Sequence, residues 1–405
     1  MSKQNFINVV KIIKLPLVLV IILVFSAGCF HETSGGGGRA NLGGMFRSDN
    51  LGETWQRVTT LYTLGDQVLD FNAANITSIS FDHLDQKAIY VGTQADGLFY
   101  TFNYGDGWFN TLTGQGTIND ILVDPDSNCI IYVAAHNAIY KSVDCSRRWE
   151  RVYFETRAGQ YITALAINAN DTDVIYAGTA GGSFLKSQDA GKSWDVLKRF
   201  DDYISDIMIQ NHISDRLIYV ITQKFGILRT DDGGQNWKDL AELEVDQSEI
   251  DEEKVFDQAV EARKKELKVD KLSPEELAKL ENGKYASLNS LGGQVKVVST
   301  ISIDRSVADG LIYANPIGIF RLTDGQRWKQ LSLLTPPGQD NIYSVLVNSK
   351  DTNEILYGTS AAWYRSVDNG ANWEIRPLPT DHTAKIISFS PDHKFLYLGA
   401  YKINR

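Results

Sequence analysis

An eight-residue stretch ending in tryptophan recurs along this 405-residue chain, and that repeat constrains the fold more than any other feature. Its copies are Ser48–Trp55 (SDNLGETW), Thr101–Trp108 (TFNYGDGW), Ser142–Trp149 (SVDCSRRW), Ser187–Trp194 (SQDAGKSW), Thr230–Trp237 (TDDGGQNW), the degenerate Arg321–Trp328 (RLTDGQRW) and Ser366–Trp373 (SVDNGANW). Successive tryptophans lie 53, 41, 45, 43, 91 and 45 residues apart. A period of about 45 residues is the length of one four-stranded propeller blade.

Each unit has the same internal grammar. In Ile162 to Phe200 an alternating run (ITALAIN) is followed by a turn (ANDTD), a second run (VIYAGT), a Gly-rich turn, a third run (SFLKS), the octapeptide and a last strand. Period-2 alternation broken by turn residues is the antiparallel strand signal. Within the octapeptide, hydroxyl and Asp/Asn side chains suit a tight turn, glycine takes a positive φ, and tryptophan packs between sheets, so these positions read as architecture. The first octapeptide has one strand before it (Leu42 to Arg47), and the last is followed by two extra strands (Lys385 to Ser390, Phe395 to Ala400). The expectation is an all-β, seven-bladed β-propeller of four-stranded antiparallel blades over 41–405, with both ends of the chain sharing the closing blade and removing an open sheet edge.

The octapeptides resemble the Asp-box, or BNR repeat, of sialidases, xyloglucan-cleaving endoglucanases, the sortilin lumenal domain and the photosystem II assembly and stability factors. The wording Ile89 to Thr93 and Gly97 to Phe99 is similar to the endoglucanase and sortilin style. The resemblance implies a propeller, and in the assembly factors a lipoprotein in cyanobacteria; no single family is singled out.

One spacing, Trp237 to Trp328, carries an insertion over 241–286. Its pattern predicts one α-helical insertion: a helix from about Ser248 to Lys268 and a second beginning at Ser273, with Pro274 in the first turn, Glu276 completing a capping box and Gly283 as the stop. Between Glu242 and Lys284 stand 14 acidic and 8 basic residues. The bland reading is a solvated helical hairpin resting an apolar face (Val255, Ala259, Leu267) on the propeller; the functional one is a docking arm or lid.

The N-terminus reads as an export signal over 1–28: Lys3, Lys11 and Lys14 precede an apolar run from Leu15 to Phe25 that is too short to span a bilayer, then Ser26-Ala27-Gly28. Cys29 resembles the lipidated cysteine of a bacterial lipobox, departing from it at Ser26, where a leucine is usual. Gly-rich 29–40 then reads as a tether, giving a protein lipid-anchored to a bacterial membrane and facing periplasm or exterior. Outside the cytoplasm the remaining cysteines, Cys129 and Cys145, suggest a disulfide, and strand order puts both at one end of one blade. The net charge is −10. Nucleic-acid binding is therefore disfavoured.

With strands A to D in each blade, the A–B and C–D loops share one end of the ring, and the B–C and D–A loops share the other. All octapeptides are C–D loops. The insertion is a D–A loop, and its end of the ring also collects Tyr62, His136, Arg157, Tyr161, Arg199, Tyr203, Phe225 and Trp363, a Tyr/Trp/Arg mixture typical of recognition surfaces. Asp120 and Asp206 occupy equivalent places early in inner strands, at the mouth of the central channel. No catalytic, cofactor or metal motif is present, and six histidines have no ligand-like spacing. The expected function is a membrane-tethered, monomeric binding or assembly scaffold that contacts a partner protein through the insertion-bearing end. The alternative is a glycan-binding or glycoside-hydrolase-like envelope enzyme using carboxylates there.

Overall fold

The computed structural model describes residues 43–63, 67–246, 260–261, 264, 267, 269–278, 298–322, 325–334 and 340–403. The export signal, the tether, Cys29, Val255, Ala259 and most of the insertion lie outside the described residues.

Seven sheets follow one another around a ring. Blade 1 joins the two ends of the chain: β1 (Gly44–Ser48) and β2 (Gln56–Arg57) pair with β28 (Thr383–Phe389) and β29 (Leu396–Tyr401) in the order β2-β1-β29-β28. Blade 2 comprises β3 (Ile76–Phe81), β4 (Ile89–Thr93), β5 (Leu98–Thr101) and β6 (Phe109–Thr111). In blade 3 they are β7 (Ile118–Val123), β8 (Ile131–Ala135), β9 (Ala138–Ser142) and β10 (Glu150–Phe154). Blade 4 has β11 (Ile162–Ile167), β12 (Ile175–Thr179), β13 (Ser183–Ser187) and β14 (Asp195–Arg199). Blade 5 has β15 (Ile204–Ile209), β16 (Ile218–Thr222), β17 (Gly226–Thr230) and β18 (Lys238–Asp239). Blade 6 adds to β20 (Thr300–Ile303), β21 (Leu311–Asn315), β22 (Gly318–Leu322) and β23 (Arg327–Leu331) a fifth strand, β19 (Glu244–Asp246), parallel to β23. Blade 7 is β24 (Ser344–Val347), β25 (Ile355–Gly358), β26 (Ala362–Ser366) and β27 (Glu374–Pro377).

Second strands such as IYVGT and IYVAA are buried at every position, because both of their faces meet neighbouring blades. Fourth strands such as Asp195–Arg199 lie mostly exposed at the rim.

The octapeptides are held by one hydrogen-bond scheme. The first-residue hydroxyl accepts from the fifth-residue N–H, as in Ser48 with Gly52 (2.8 Å) and Ser187 with Gly191 (2.9 Å). The third-residue carboxylate accepts from the seventh-residue N–H, as in Asp189 with Ser193 (2.8 Å). Hydrogen bonds from Ser193 hold the Asp189 carboxyl down to about 2. Residues four and five are both left-handed, for example Ala190 (φ 57°) with Gly191 (φ 86°). That geometry explains the glycine preference at position five; blade 3 carries Ser146 there at φ 67°.

The turn is also a joint between blades. Every blade carries one buried tyrosine in its second strand, from Tyr90 in blade 2 to Tyr397 in blade 1. Tyr132 donates its hydroxyl to the carbonyl of Ala190 (3.0 Å) in the next blade, and Tyr397 donates to that of Tyr104 (2.9 Å). The acceptor in both is the fourth octapeptide residue. In blades 2 and 6 the closing tryptophan reaches back the other way, Trp108 donating to Val58 O (3.0 Å) and Trp328 to Leu240 O (2.9 Å), both just after the preceding blade's outer strand, whereas Trp194 and Trp237 donate within their own turns.

Blade 6 lacks the first-residue hydroxyl. Arg321 stands there, 3% exposed, and pairs with the fully buried Asp304. It also donates to Ser306 Oγ (3.1 Å), to Thr352 O (3.1 Å) and to Asn369 Oδ1 in the octapeptide of blade 7. A buried ion pair thus replaces a hydroxyl-based turn.

Of the insertion, Val260, Glu261, Lys264, Leu267 and residues 274–278 are helical. Glu276 N–H donates to Ser273 Oγ (3.2 Å), the N-cap bond. Leu267 is 41% exposed, so it forms no buried face; Val260, Leu272 and Leu277 pack together instead.

Two substitutions test the joints by urea unfolding. Tyr132→Phe should destabilise by about 1 kcal/mol, the net contribution of one hydrogen bond. Arg321→Ala should cost about 3–5 kcal/mol, because it strands the buried Asp304 carboxylate.

Candidate functional site

At the octapeptide end, Cys129 in the β7–β8 loop and Cys145 in the β9–β10 turn are joined by a disulfide, beside a backbone bond from Cys145 N–H to Cys129 O (3.2 Å).

The opposite end gathers most of the anticipated loop residues on blades 3 to 5. His136, in the β8–β9 turn with φ 51°, lies against Tyr161, ring centroids 4.7 Å apart. Two guanidinium groups converge on Ser183 Oγ: Arg157 at 3.1 Å and Arg199 at 3.2 Å. Arg157 is neutralised by Glu155 through paired contacts of 3.0 and 2.8 Å. Those bonds hold the Glu155 carboxyl down to about 2. Arg199 has no carboxylate bonded to it among the described contacts. On blade 5 the Asp202 carboxylate accepts from Tyr203 N–H (2.8 Å) and Lys224 N–H (2.6 Å), tying the chain before β15 to the β16–β17 turn. Tyr161, Tyr203 and Phe225 are each about two-fifths exposed: 40%, 41% and 41%.

Two anticipated residues are elsewhere. Trp363 is fully buried, its ring edge-on to Trp55 at 6.2 Å and close over Gly52, because β26 packs against blade 1. Tyr62 belongs to the rim near the octapeptide of blade 2: its N–H donates to Trp108 O (2.9 Å), its hydroxyl accepts from Asn103 Nδ2 (2.6 Å) and its ring tilts on Phe109. The chain leaving β2 runs alongside Trp108 before it turns inward, which keeps Tyr62 away from the loop face.

First strands ring the central channel. Five of them (β3, β7, β11, β15 and β28) shift register at their second or third residue, giving bulges at Thr77, Asn119, Thr163, Ser205 and Lys385. Some bulge side chains link neighbouring strands, as Asn119 Nδ2 donates to Ile162 O (2.7 Å). Asp120 and Asp206 follow the bulges of β7 and β15. Asp120 accepts from Leu165 N–H (2.7 Å) and Ile121 N–H (2.8 Å), Asp206 from Ile207 N–H (2.7 Å). Burial, aided by the charge of Asp206, pushes the Asp120 carboxyl up to about 7 against those two N–H bonds; burial pushes Asp206 up to about 6.

Ser183, Glu155, Thr163 and Lys385 escaped the sequence reading. Ser183 could have been flagged by the glycine pair before it, and Lys385 by aligning the first strands of all repeats.

The fold and this surface define a seven-bladed β-propeller with an arginine–aromatic loop end and a polar channel mouth. No protein family profile matches the chain. It is similar to a xyloglucanase of Paenibacillus sp, 25% identical over a 198-residue alignment that covers 38% of this chain and 19% of the enzyme. Among solved structures it resembles the GH74 xyloglucanase of Xanthomonas campestris (TM-score 0.57, 14% identity, 81% of this chain and 51% of that one). It equally resembles YCF48 bound to D1 peptide (TM-score 0.53, 13% identity, 82% and 94%). The chain thus spans about a fifth to a half of the xyloglucanases and nearly all of YCF48. These likenesses are of fold. Among the described residues, no helix is long and apolar enough to cross a membrane.

The raised carboxyls give a signed pH dependence. Folding favours their protonated forms, so their contribution is fully present below the ordinary value of 3.8 and is lost as pH rises through about 6 to 7. Relative to wild type, Asp120→Asn should therefore gain unfolding stability at pH 8 compared with pH 4.5, measured by urea titration at both.

Proposed function

We propose that this protein is an exported, lipid-tethered binding or assembly scaffold that engages a partner protein through the B–C and D–A loops of blades 3 to 5. The observation that carries this reading is the convergence of Arg157 and Arg199 on Ser183, with Arg199 unneutralised among the described contacts, at the end of the ring that also carries Tyr161, 40% exposed. Arginine and tyrosine at one site are the residues that dominate binding energy when desolvated by a partner. The peptide-bound YCF48 gives this fold a precedent for polypeptide recognition. The helical insertion leaves the ring at the same end, since β19 runs parallel to β23 toward the D–A loops, and we assign it to docking. Cys29 is assigned to the lipid anchor.

A glycoside hydrolase is the second reading, favoured by the near-neutral Asp120 carboxyl beside Asp206 and by the xyloglucanase relatives.

The test is a crosslinking pull-down from membranes with wild type, Arg199→Glu combined with Tyr161→Ala, and a chain in which 248–283 is replaced by a Gly/Ser loop. One defined protein should be enriched by wild type and lost by the double substitution. Unchanged capture by that variant would defeat the reading. Reducing-sugar release from xyloglucan that disappears in Asp120→Asn would establish the hydrolase in its place.

A further inference from the structure

The octapeptide end of blade 1 carries a cavity of about 220 Å³, lined by Arg47, Asp49, Thr54, Trp55, Gln56 and Phe395. Five of these belong to β1, the first octapeptide and β2, while Phe395 comes from the turn before β29, so the cavity is completed by ring closure. Phe395 sets this blade apart: in the other six the residue before the second strand is Ala88, Ile130, Val174, Leu217, Gly310 or Glu354. The Arg47 guanidinium lies 4.7 Å from the Phe395 ring centroid and is held by Tyr104 O (2.9 Å), Asp106 Oδ1 (2.8 Å) and Gln56 Oε1 (3.0 Å). Its position is therefore fixed and its charge already offset. Asp49, the second octapeptide residue, is exposed, and its carboxylate has no partner among the described contacts. Gln56 spends its carbonyl oxygen on Arg47, which leaves the amide NH2 to donate; Thr54 accepts from Asn50 Nδ2 (2.8 Å), which leaves the hydroxyl proton to donate.

We propose that this cavity binds one neutral pyranose ring, with the Asp49 carboxylate accepting from one ring hydroxyl and the Gln56 amide and Thr54 hydroxyl donating to others. The groups left free select that chemistry. With its three bonds made, Arg47 still has N–H groups to give, so the cavity offers donors from Arg47, Gln56 and Thr54 against one strong acceptor, Asp49. Neighbouring hydroxyls on a sugar each donate and accept, which matches such a mixed set. A small cation would pair with Asp49 but leave the donors without an acceptor. An anion would meet the donors but also the Asp49 carboxylate, whose repulsion is strong at short range. The walls made by Trp55 and Phe395, both partly buried, present apolar ring surface to the C–H face of a pyranose. The volume is below the roughly 300–1,000 Å³ of sites for drug-sized ligands, so a single ring is the fitting size.

The cavity lies at the end of the ring opposite Arg157 and Arg199, so it is independent of partner docking and of the channel carboxylates. Isothermal calorimetry on the full chain would titrate methyl β-D-glucopyranoside, methyl β-D-galactopyranoside and methyl β-D-xylopyranoside, with cyclohexanol, ethylammonium and acetate as controls. At least one glycoside should bind with Kd below about 10 mM, and at least about tenfold more tightly than every control. Asp49→Ala, at an exposed position with no bond to lose, should weaken that glycoside at least about fivefold with near-UV circular dichroism unchanged. Gln56→Ala, which removes an amide donor, takes its place with the same expectation if the Asp49→Ala spectrum differs from wild type. Absence of any glycoside binding below about 10 mM overturns the proposal. So does a control that binds as tightly as the best glycoside, or a smaller loss of affinity in the folded variant.

Discussion

The architecture depends on a turn that forces two successive residues into left-handed conformation. Such a conformation is unfavourable for most side chains, and it persists because the Ser or Thr hydroxyl and the Asp carboxylate or Asn amide oxygen accept from the N–H groups that the turn exposes. The conformation turns one carbonyl outward, where Ala190 and Tyr104 meet a tyrosine hydroxyl of the blade before. The tryptophan that ends the turn bonds back across the same seam in blades 2 and 6. A local solution to turn strain is therefore also the means by which separate sheets recognise their neighbours.

Blade 6 demonstrates what the scheme requires by departing from it. Arg321 cannot act as the hydroxyl acceptor, yet the seam is kept because its guanidinium reaches Asp304, Ser306 and the octapeptide of blade 7. Burial would by itself raise the Asp304 carboxyl, but the Arg321 hydrogen bond keeps it below the ordinary range. Weak, repeated hydrogen bonds have been exchanged for one strong buried pair, which makes this blade sensitive to a single substitution.

Blade number and strand order were legible because the tryptophan spacing and the period-2 alternation report on backbone alone. Placement of loop side chains was less so. Trp363 has the composition of a recognition residue, and only its packing against Trp55 and Gly52 reveals it as core. Tyr62 was misplaced because the path of the chain after β2, alongside Trp108, depends on a pairing that no local pattern announces. Asp120 and Asp206 were recognisable as equivalent positions, whereas their elevated carboxyls depend on the low-dielectric surroundings created by seven converging strands. The convergence on Ser183 brings Arg157 from the loop after β10 onto Ser183 and Arg199, which are register partners on β13 and β14, and the position of that loop leaves no trace in spacing.

Blade 1 has a consequence for the order of events in folding. Its registers pair Met45 with Gly399 and Arg47 with Tyr397, so the sheet is assembled from segments that are far apart in the chain. Contacts of such large separation form late and slowly, because the intervening polypeptide must first be gathered. Six blades can condense from neighbouring sequence, but until the seventh is complete β1 and β29 present unpaired edges to other chains. Ring closure is thus a timing problem as much as a geometric one: the window of vulnerability to misassociation lasts from the first strand made to the last.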